Sequence, residues 1–155
     1  GYSKEEILLK INTKGRDNAR RPMQWTAEKN AGFTTGTPWI DVNPNYQTIN
    51  VAAALADKNS LFYTYQEMIR LRKEHPLIVW GNFELLETVD EVISFYLTYG
   101  EERWLVVTNF SDKVQPFSAD VHVEQVMIEN MPTDVTALAD YSLAPWQAFV
   151  VKVSQ

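Results

Sequence analysis

The 155-residue chain contains no cysteine. Disulfide bonds, thiolate nucleophiles and cysteine-ligated zinc are therefore excluded. No apolar run approaches the roughly 20 residues that a membrane-spanning helix needs, and the first residues, GYSKEEILLKI, lack the basic cap and apolar core of a signal peptide. We therefore expect no membrane partner and a cytoplasmic location.

Positive charge and histidine are also scarce. The chain has 14 Lys and Arg against 20 Asp and Glu, which gives a formal net charge of −6. This balance argues against nucleic acid or an anionic membrane as the main partner and favours a small neutral or cationic ligand. The two histidines, His75 and His122, have no partner histidine at ligand spacing. We expect neither a metal nor a cofactor.

The composition is that of a folded domain. An apolar content of 45% in 155 residues is enough to bury a real core. The chain does not begin with methionine, and we expect it to be a piece of a longer protein.

Two helices are predicted in the first half. Ser3, followed by Glu5, Glu6 and the apolar Ile7, is typical of a capped helix, which Gly15 would end. The second helix begins after 57–60 and stops at His75-Pro76, because apolar residues share one face at 3.6-residue spacing: Leu61, Tyr65, Met68 and Ile69. Between the helices, residues 30–50 have little periodicity, and irregular segments of this length are more often functional than idle.

The second half has the pattern of an all-β region. After Pro76 come six runs rich in β-formers: Asn82–Glu87, Val92–Thr98, Arg103–Asn109, Gln115–Ser118, Gln125–Glu129 and Gln147–Val153. Short strands spaced by roughly ten residues predict an antiparallel sandwich. The chain divides near residue 80, without a flexible linker.

One motif resembles a calcium-binding loop. Asp41, Asn43 and Asn45 match the ligand positions 1, 3 and 5, but Tyr46 stands where the loop needs glycine and Ala52 where it needs glutamate. A loop of Asx-turns accounts better for these residues.

The most polar run extends from Gly15 to Trp25, GRDNARRPMQW, and holds three arginines and one aspartate. Arginine forks bind carboxylates, phosphates and sugar hydroxyls, so the run is a candidate binding site. The competing interpretation is an ion-pair loop, with Asp17 bound to Arg16 or Arg20 and Trp25 filling the core. The residue types alone leave both interpretations open.

Three segments together resemble one family: RDNARxPMQW, then NAGFTTGTPWI, then VNPNYxxINV. They are similar to the region after the last catalytic motif in α-amylase-family glycoside hydrolases (family 13), and within that family to the oligo-1,6-glucosidase and dextran-glucosidase branch. The match continues through the helix SLFYTYQEMIRLRKE. The β-region matches in outline, through LVVTNF and APWQAF.

The resemblance implies a fold and an activity. Family members have a (β/α)8 barrel followed by an antiparallel β-sandwich called domain C, and they cleave α-glucosidic bonds with retention by means of three carboxylates. Those carboxylates lie upstream of the matched segment, so the chain is expected to hold no catalytic residue and to be inactive alone. Residues 1–78 would end the barrel and residues 79–155 would form domain C.

The resemblance also assigns substrate-binding residues. Arg16 matches the arginine that binds glucose in the minus-one subsite, and Asp17 is its neighbour on the same loop. Arg20 is a weaker candidate whose expected role is to brace the loop. The family usually has threonine where this chain has Arg21, which leaves the role of Arg21 open.

Two alternatives stay open at this point. One is a sibling activity on the same scaffold, trehalose-6-phosphate hydrolysis or sucrose isomerisation. The other is a stand-alone sugar-binding β-module that uses Trp80, Trp104 or Trp146 as a stacking platform.

The apolar face of the second helix is expected to stay exposed or to cause self-association, because it would normally pack on missing barrel elements.

Overall fold

Helices occupy part of the first half and antiparallel strands most of the second half in the computed structural model, which describes residues 1–15, 17–132, 134 and 137–154. The chain divides into two units, Gly1–Gln66 and Glu67–Gln155. The predicted mainly β fold class, with an antiparallel sandwich at the C-terminal end, is confirmed. The predicted domain boundary between residues 78 and 79 stays a prediction.

The first unit begins with helix α1, Lys4–Lys14. The Ser3 hydroxyl accepts a hydrogen bond from the Glu6 backbone N–H at 3.2 Å, and the Glu6 carboxylate accepts one from the Ser3 N–H at 2.8 Å. This reciprocal capping box satisfies two N–H groups that the helix itself cannot. At the other end, the Gly15 N–H donates to the Ile11 carbonyl at 2.7 Å. The sequence predicted both ends of α1.

The rest of the first unit is mostly irregular, as predicted for residues 30–50. It contains short 3-10 helices at Asp17–Arg20, Lys29–Gly32 and Pro44–Gln47. Helix α2, Val51–Ala56, was not predicted. The Asn50 side chain caps α2 by accepting from the Ala53 N–H at 2.8 Å.

Helix α3, Leu61–Glu74, crosses from the first unit into the second. It ends where predicted, with the His75 N–H donating to the Leu71 carbonyl at 2.9 Å before Pro76. A further short helix, α4, covers Leu77–Trp80. The sequence prediction missed α4 because Pro76 was interpreted only as a stop, although proline is well tolerated at a helix start.

The described residues of the second unit contain seven strands: β1 Asn82–Leu85, β2 Val92–Tyr99, β3 Glu102–Asn109, β4 Gln115–Phe117, β5 His122–Glu129, β6 Tyr141–Leu143 and β7 Ala148–Ser154. Five of them form one sheet in the order β1-β2-β3-β7-β5, and β4 pairs with β6 in a second sheet. All pairings are antiparallel. Strand β6 was not among the six predicted strands.

The core lies between the two sheets. One buried cluster joins side chains of the larger sheet to those of β4 and β6: Val92, Tyr96, Leu105, Val107, Phe149, Val151 and Val153 with Phe117 and Leu143. Neighbouring residues of a strand point to opposite faces, so Trp104 leaves this core and packs with Leu71 and Leu77 on the other face of the sheet. The second unit therefore has three layers, with the larger sheet in the middle.

None of the described helices combines the length and the apolar character that crossing a lipid bilayer requires.

Candidate functional site

The predicted binding loop begins with a tight turn. Arg16 lies outside the described residues, so its predicted role is not tested. Asp17–Arg20 forms a single 3-10 turn, in which the Arg20 guanidinium donates to the Asp17 carboxylate. Both side chains are exposed, so the pair contributes little to stability. Its effect is to hold the two side chains in one orientation. The bracing role of Arg20 stays a prediction.

Trp39 lies beside this pair. The Arg20 guanidinium carbon is 5.9 Å from the centre of the Trp39 ring, at the edge of the range for a cation–π contact. The Trp39 side chain is 86% exposed. The turn and Trp39 therefore bring together a carboxylate, a guanidinium and an open aromatic face, which are groups that contact sugars and other polyols.

The second half of the loop is held by Gln24. Its side-chain amide donates to the Asn45 side-chain oxygen at 3.0 Å and also to the Ile49 carbonyl. The carbonyls of Gln24 and Trp25 accept from the Val51 and Ala52 N–H groups at 2.9 and 3.0 Å, at the start of α2. The backbone of the loop thus supplies hydrogen-bond acceptors to α2.

The expectation that Trp25 fills a core is wrong for this chain, because its side chain is half exposed. Its backbone has the structural role instead, since the Trp25 N–H donates to the Ala31 carbonyl at 2.9 Å.

A strained turn lies against this loop. Asn30, Ala31 and Gly32 all have left-handed backbones, with φ of 56°, 59° and 66°. For a non-glycine residue this conformation costs roughly 1–2 kcal/mol. It is held by the Asn30 side-chain amide, which donates to the carbonyls of Thr34 at 3.1 Å and Gly36 at 2.7 Å. Strain of this kind clusters at binding sites, because only a rigid surrounding maintains it.

Arg21 lies at an open cavity of about 410 Å³ that is also lined by Met23, Asn43 and Ile49. Its guanidinium makes a long contact, 3.5 Å, with the Val42 carbonyl. This contact leaves most of its donors available. The Arg21 side chain is exposed, and its role stays open.

The calcium-like motif forms an Asx-turn. The Asn43 side-chain oxygen accepts from the Asn45 N–H at 3.3 Å and caps the following 3-10 helix. Asn45 in turn contacts Gln24. In the part of the chain that the structure describes, no three His, Cys, Asp or Glu side chains lie close enough together to hold a metal ion.

The second unit contains a polar cluster that no sequence motif marks. The Glu102 carboxylate contacts His75 Nδ1 at 3.2 Å and accepts from the Trp104 indole N–H at 2.9 Å. The rings of His75 and Trp104 are 4.6 Å apart. This cluster links the end of α3 to strand β3. It also removes Trp104 as a stacking platform for sugars, because that ring is only 2% exposed.

The family model for the alpha-amylase catalytic domain matches residues 1–81 of the chain. The region that it covers includes the whole binding loop and α3.

Two curated relatives match almost the whole chain. The glucan 1,6-alpha-glucosidase of Streptococcus pneumoniae is 48% identical over 153 residues, which cover 99% of this chain and 28% of that protein. The oligo-1,6-glucosidase of Parageobacillus thermoglucosidasius is 46% identical over 159 residues, with 99% and 28% covered. The chain therefore spans less than a third of the length of these relatives.

Solved structures share the fold. An isomaltulose synthase from Erwinia rhapontici, in complex with sucrose, superposes with a TM-score of 0.85 at 36% identity, covering 99% of this chain and 28% of that one. A trehalose-6-phosphate hydrolase from Bacillus licheniformis gives a TM-score of 0.82 at 35% identity, covering 100% and 29%.

Proposed function

Because this chain belongs to the α-amylase family, we propose that it is the C-terminal part of a retaining α-glucosidase that hydrolyses α-1,6-glucosidic bonds of isomalto-oligosaccharides or dextran. The observation that carries the proposal is the 48% identity, over 99% of the chain, with a protein named glucan 1,6-alpha-glucosidase. The oligo-1,6-glucosidase supports the same linkage.

The alternative is a sibling activity, since the chain is also similar to a trehalose-6-phosphate hydrolase and an isomaltulose synthase. In the family resemblance, the residues that select the linkage lie mostly upstream of this chain.

The two domains follow from the same proposal. Residues 1–78 end the catalytic barrel with a substrate loop and its last helix, and residues 79–155 are domain C. Support comes from the match of the catalytic-domain model to residues 1–81 and from the first strand, which begins at Asn82. The catalytic carboxylates lie outside this chain, so the chain alone is inactive. Self-association and a cytoplasmic location stay predictions.

The binding loop supplies one wall of the glucose pocket. Arg16 and Asp17 bind hydroxyls of the terminal glucose, and Arg20 braces Asp17, with which it pairs. An oxocarbenium-like transition state requires the sugar ring to be held while it distorts, and hydrogen bonds that tighten there stabilise it by several kcal/mol. A planar guanidinium suits this task better than a mobile ammonium because its donors are fixed.

The test is the Arg16→Ala variant of the full-length enzyme, assayed on isomaltotriose. We expect kcat/KM to fall by a factor of about 100 or more, as is typical when a transition-state donor is removed. Arg72→Ala is the matched control, because Arg72 is an exposed arginine on α3. Near-normal kinetics of Arg16→Ala, with the control equally active, would contradict the site assignment.

A further inference from the structure

Trp146 combines a strained backbone with an exposed ring. Its φ is 58°, a region that bulky residues rarely enter because Cβ comes too close to the carbonyl oxygen. Its side chain is 57% exposed, although an indole is one of the largest apolar surfaces that a core can use. The fold therefore maintains an unfavourable conformation and gains little burial from it.

Hydrogen bonds hold the Trp146 backbone on both sides. Its N–H donates to the Ser111 carbonyl at 3.1 Å, and its carbonyl accepts from the Asn130 side-chain amide at 2.7 Å. The next residue, Gln147, is buried and accepts from the Ala144 N–H at 2.8 Å. The indole is thus presented from a fixed backbone and not from a loose loop.

A second exposed aromatic side chain, Phe110, lies on the loop that receives the Trp146 N–H. The buried Asn109 closes this loop, because its amide donates to the carbonyls of Lys113 at 2.8 Å and Ala144 at 2.9 Å. The same loop carries the exposed Asp112. Two aromatic side chains and two charged ones therefore lie on two loops that are joined by a backbone hydrogen bond.

Strained residues persist where the surrounding structure over-determines them, and they cluster at sites of function. We propose that Trp146, together with Phe110 on the adjoining loop, forms a carbohydrate-binding site on the β-sandwich that stacks against glucose units of an α-glucan chain. Pyranose rings have an apolar C–H face that fits an aromatic ring, and their hydroxyl rim fits Asp112 and Lys113. Nucleic-acid bases also stack, but the net charge of −6 disfavours them.

The choice of an α-glucan rests on the proposed function, whereas the stacking platform rests on the geometry of Trp146.

Trp80 provides the matched comparison. It is 72% exposed, but it lies in the regular helix α4 with no left-handed backbone. Exposure alone therefore does not distinguish the two tryptophans, and the strained, hydrogen-bonded backbone does.

The test is native electrophoresis of the full-length protein in gels with and without dextran, with deoxynojirimycin present to fill the glucose pocket. We expect dextran to retard the unsubstituted protein and the Trp80→Ala variant. Trp146→Ala should lose the retardation and keep its hydrolysis of isomaltotriose. Equal retardation of Trp146→Ala and the unsubstituted protein, or no retardation of the latter, would overturn the proposal.

A Trp146→Gly variant separates binding from packing, since glycine accepts a positive φ without strain. We expect its melting temperature to stay within about 4 °C, because glycine also gives the unfolded chain more freedom, while dextran retardation is lost. A larger fall would show that the indole packs against protein, and it would overturn the proposed site. If dextran retards the protein but isomaltotriose is not hydrolysed, the proposed function fails and the Trp146 site stands.

Discussion

The two units, residues 1–66 and residues 67–155, differ in how far they bury their apolar side chains. In the first unit, Ala31 is the only fully buried apolar side chain among the described residues, and large side chains such as Leu9, Trp39 and Leu61 are exposed. In the second unit, side chains from both sheets form one continuous core. The second unit is thus stabilised by its own core, whereas the first is ordered by caps, turns and backbone hydrogen bonds.

The largest expected effect is the loss of a core leucine. Leu105 is 0% exposed in the core of the sandwich, and Leu105→Ala should lower the free energy of unfolding by about 3 kcal/mol because it leaves a cavity. Leu61, in the first unit, is 77% exposed, and Leu61→Ala should change that free energy by less than about 0.5 kcal/mol.

Urea unfolding of both variants, followed by circular dichroism, measures this difference. Similar losses in the two variants would contradict the contrast between the units, since they would mean that Leu61 contributes as much to stability as a core residue does.

A matched pair of glycines tests the strained turn of the first unit. Gly32 and Gly100 both have positive φ, 66° and 60°. A Cβ on Gly32 would lie 2.6 Å from the Thr26 hydroxyl oxygen, whereas a Cβ on Gly100 would meet nothing within 4 Å. Gly100→Ala should therefore cost only the left-handed backbone, about 1 kcal/mol, and Gly32→Ala about 2 kcal/mol.

The measurement is the shift in thermal midpoint of each variant against the unsubstituted chain. If the Gly100 substitution cost as much as the Gly32 substitution, the turn at Asn30–Gly32 would be no more tightly packed than an open hairpin.

The helices that depend on residues close in sequence were predicted. The capping box of Ser3 and Glu6 and the 3.6-residue pattern of α3 depend on residues close in sequence, and both predictions are confirmed. Helix α2 was missed because its first N–H groups donate to the carbonyls of Gln24 and Trp25, more than twenty residues earlier. Strand β6 was missed because it has three residues and depends on pairing with β4.

In the candidate site, too, contacts between residues close in sequence could be predicted, whereas contacts between distant residues could not. The ion-pair interpretation named Arg16 or Arg20 as the partner of Asp17, and the structure shows the pair with Arg20, since an i, i+3 spacing brings two side chains together. The contact of Gln24 with Asn45 joins residues 21 positions apart, and no local pattern indicates it. The left-handed backbone of Ala31 was equally hidden, since alanine does not prefer that conformation.

The smallest expected effect concerns Tyr96, which lies in the buried core of the second unit. Burial raises the pKa of the Tyr96 hydroxyl, against the opposing charge of Arg103, whose guanidinium lies 3.7 Å from the ring centre. In the unfolded chain a tyrosine ionises near its ordinary pKa of about 10. In the folded chain Tyr96 stays neutral to a higher pH, because its buried position favours the neutral form. This contribution to stability is fully present below the unfolded pKa and is lost as the pH rises through the folded pKa.

Urea midpoints of the unsubstituted chain should therefore fall between about pH 8 and about pH 11, on either side of the ordinary tyrosine pKa. Tyr96→Phe should remove part of that fall, because phenylalanine keeps the ring in the core without an ionisable group. The part removed should be smaller than the effect of either glycine substitution, since the charge of Arg103 opposes the effect of burial on the pKa. An identical alkaline fall in Tyr96→Phe would mean that other groups cause it, and that the core of the second unit tolerates an ionised Tyr96.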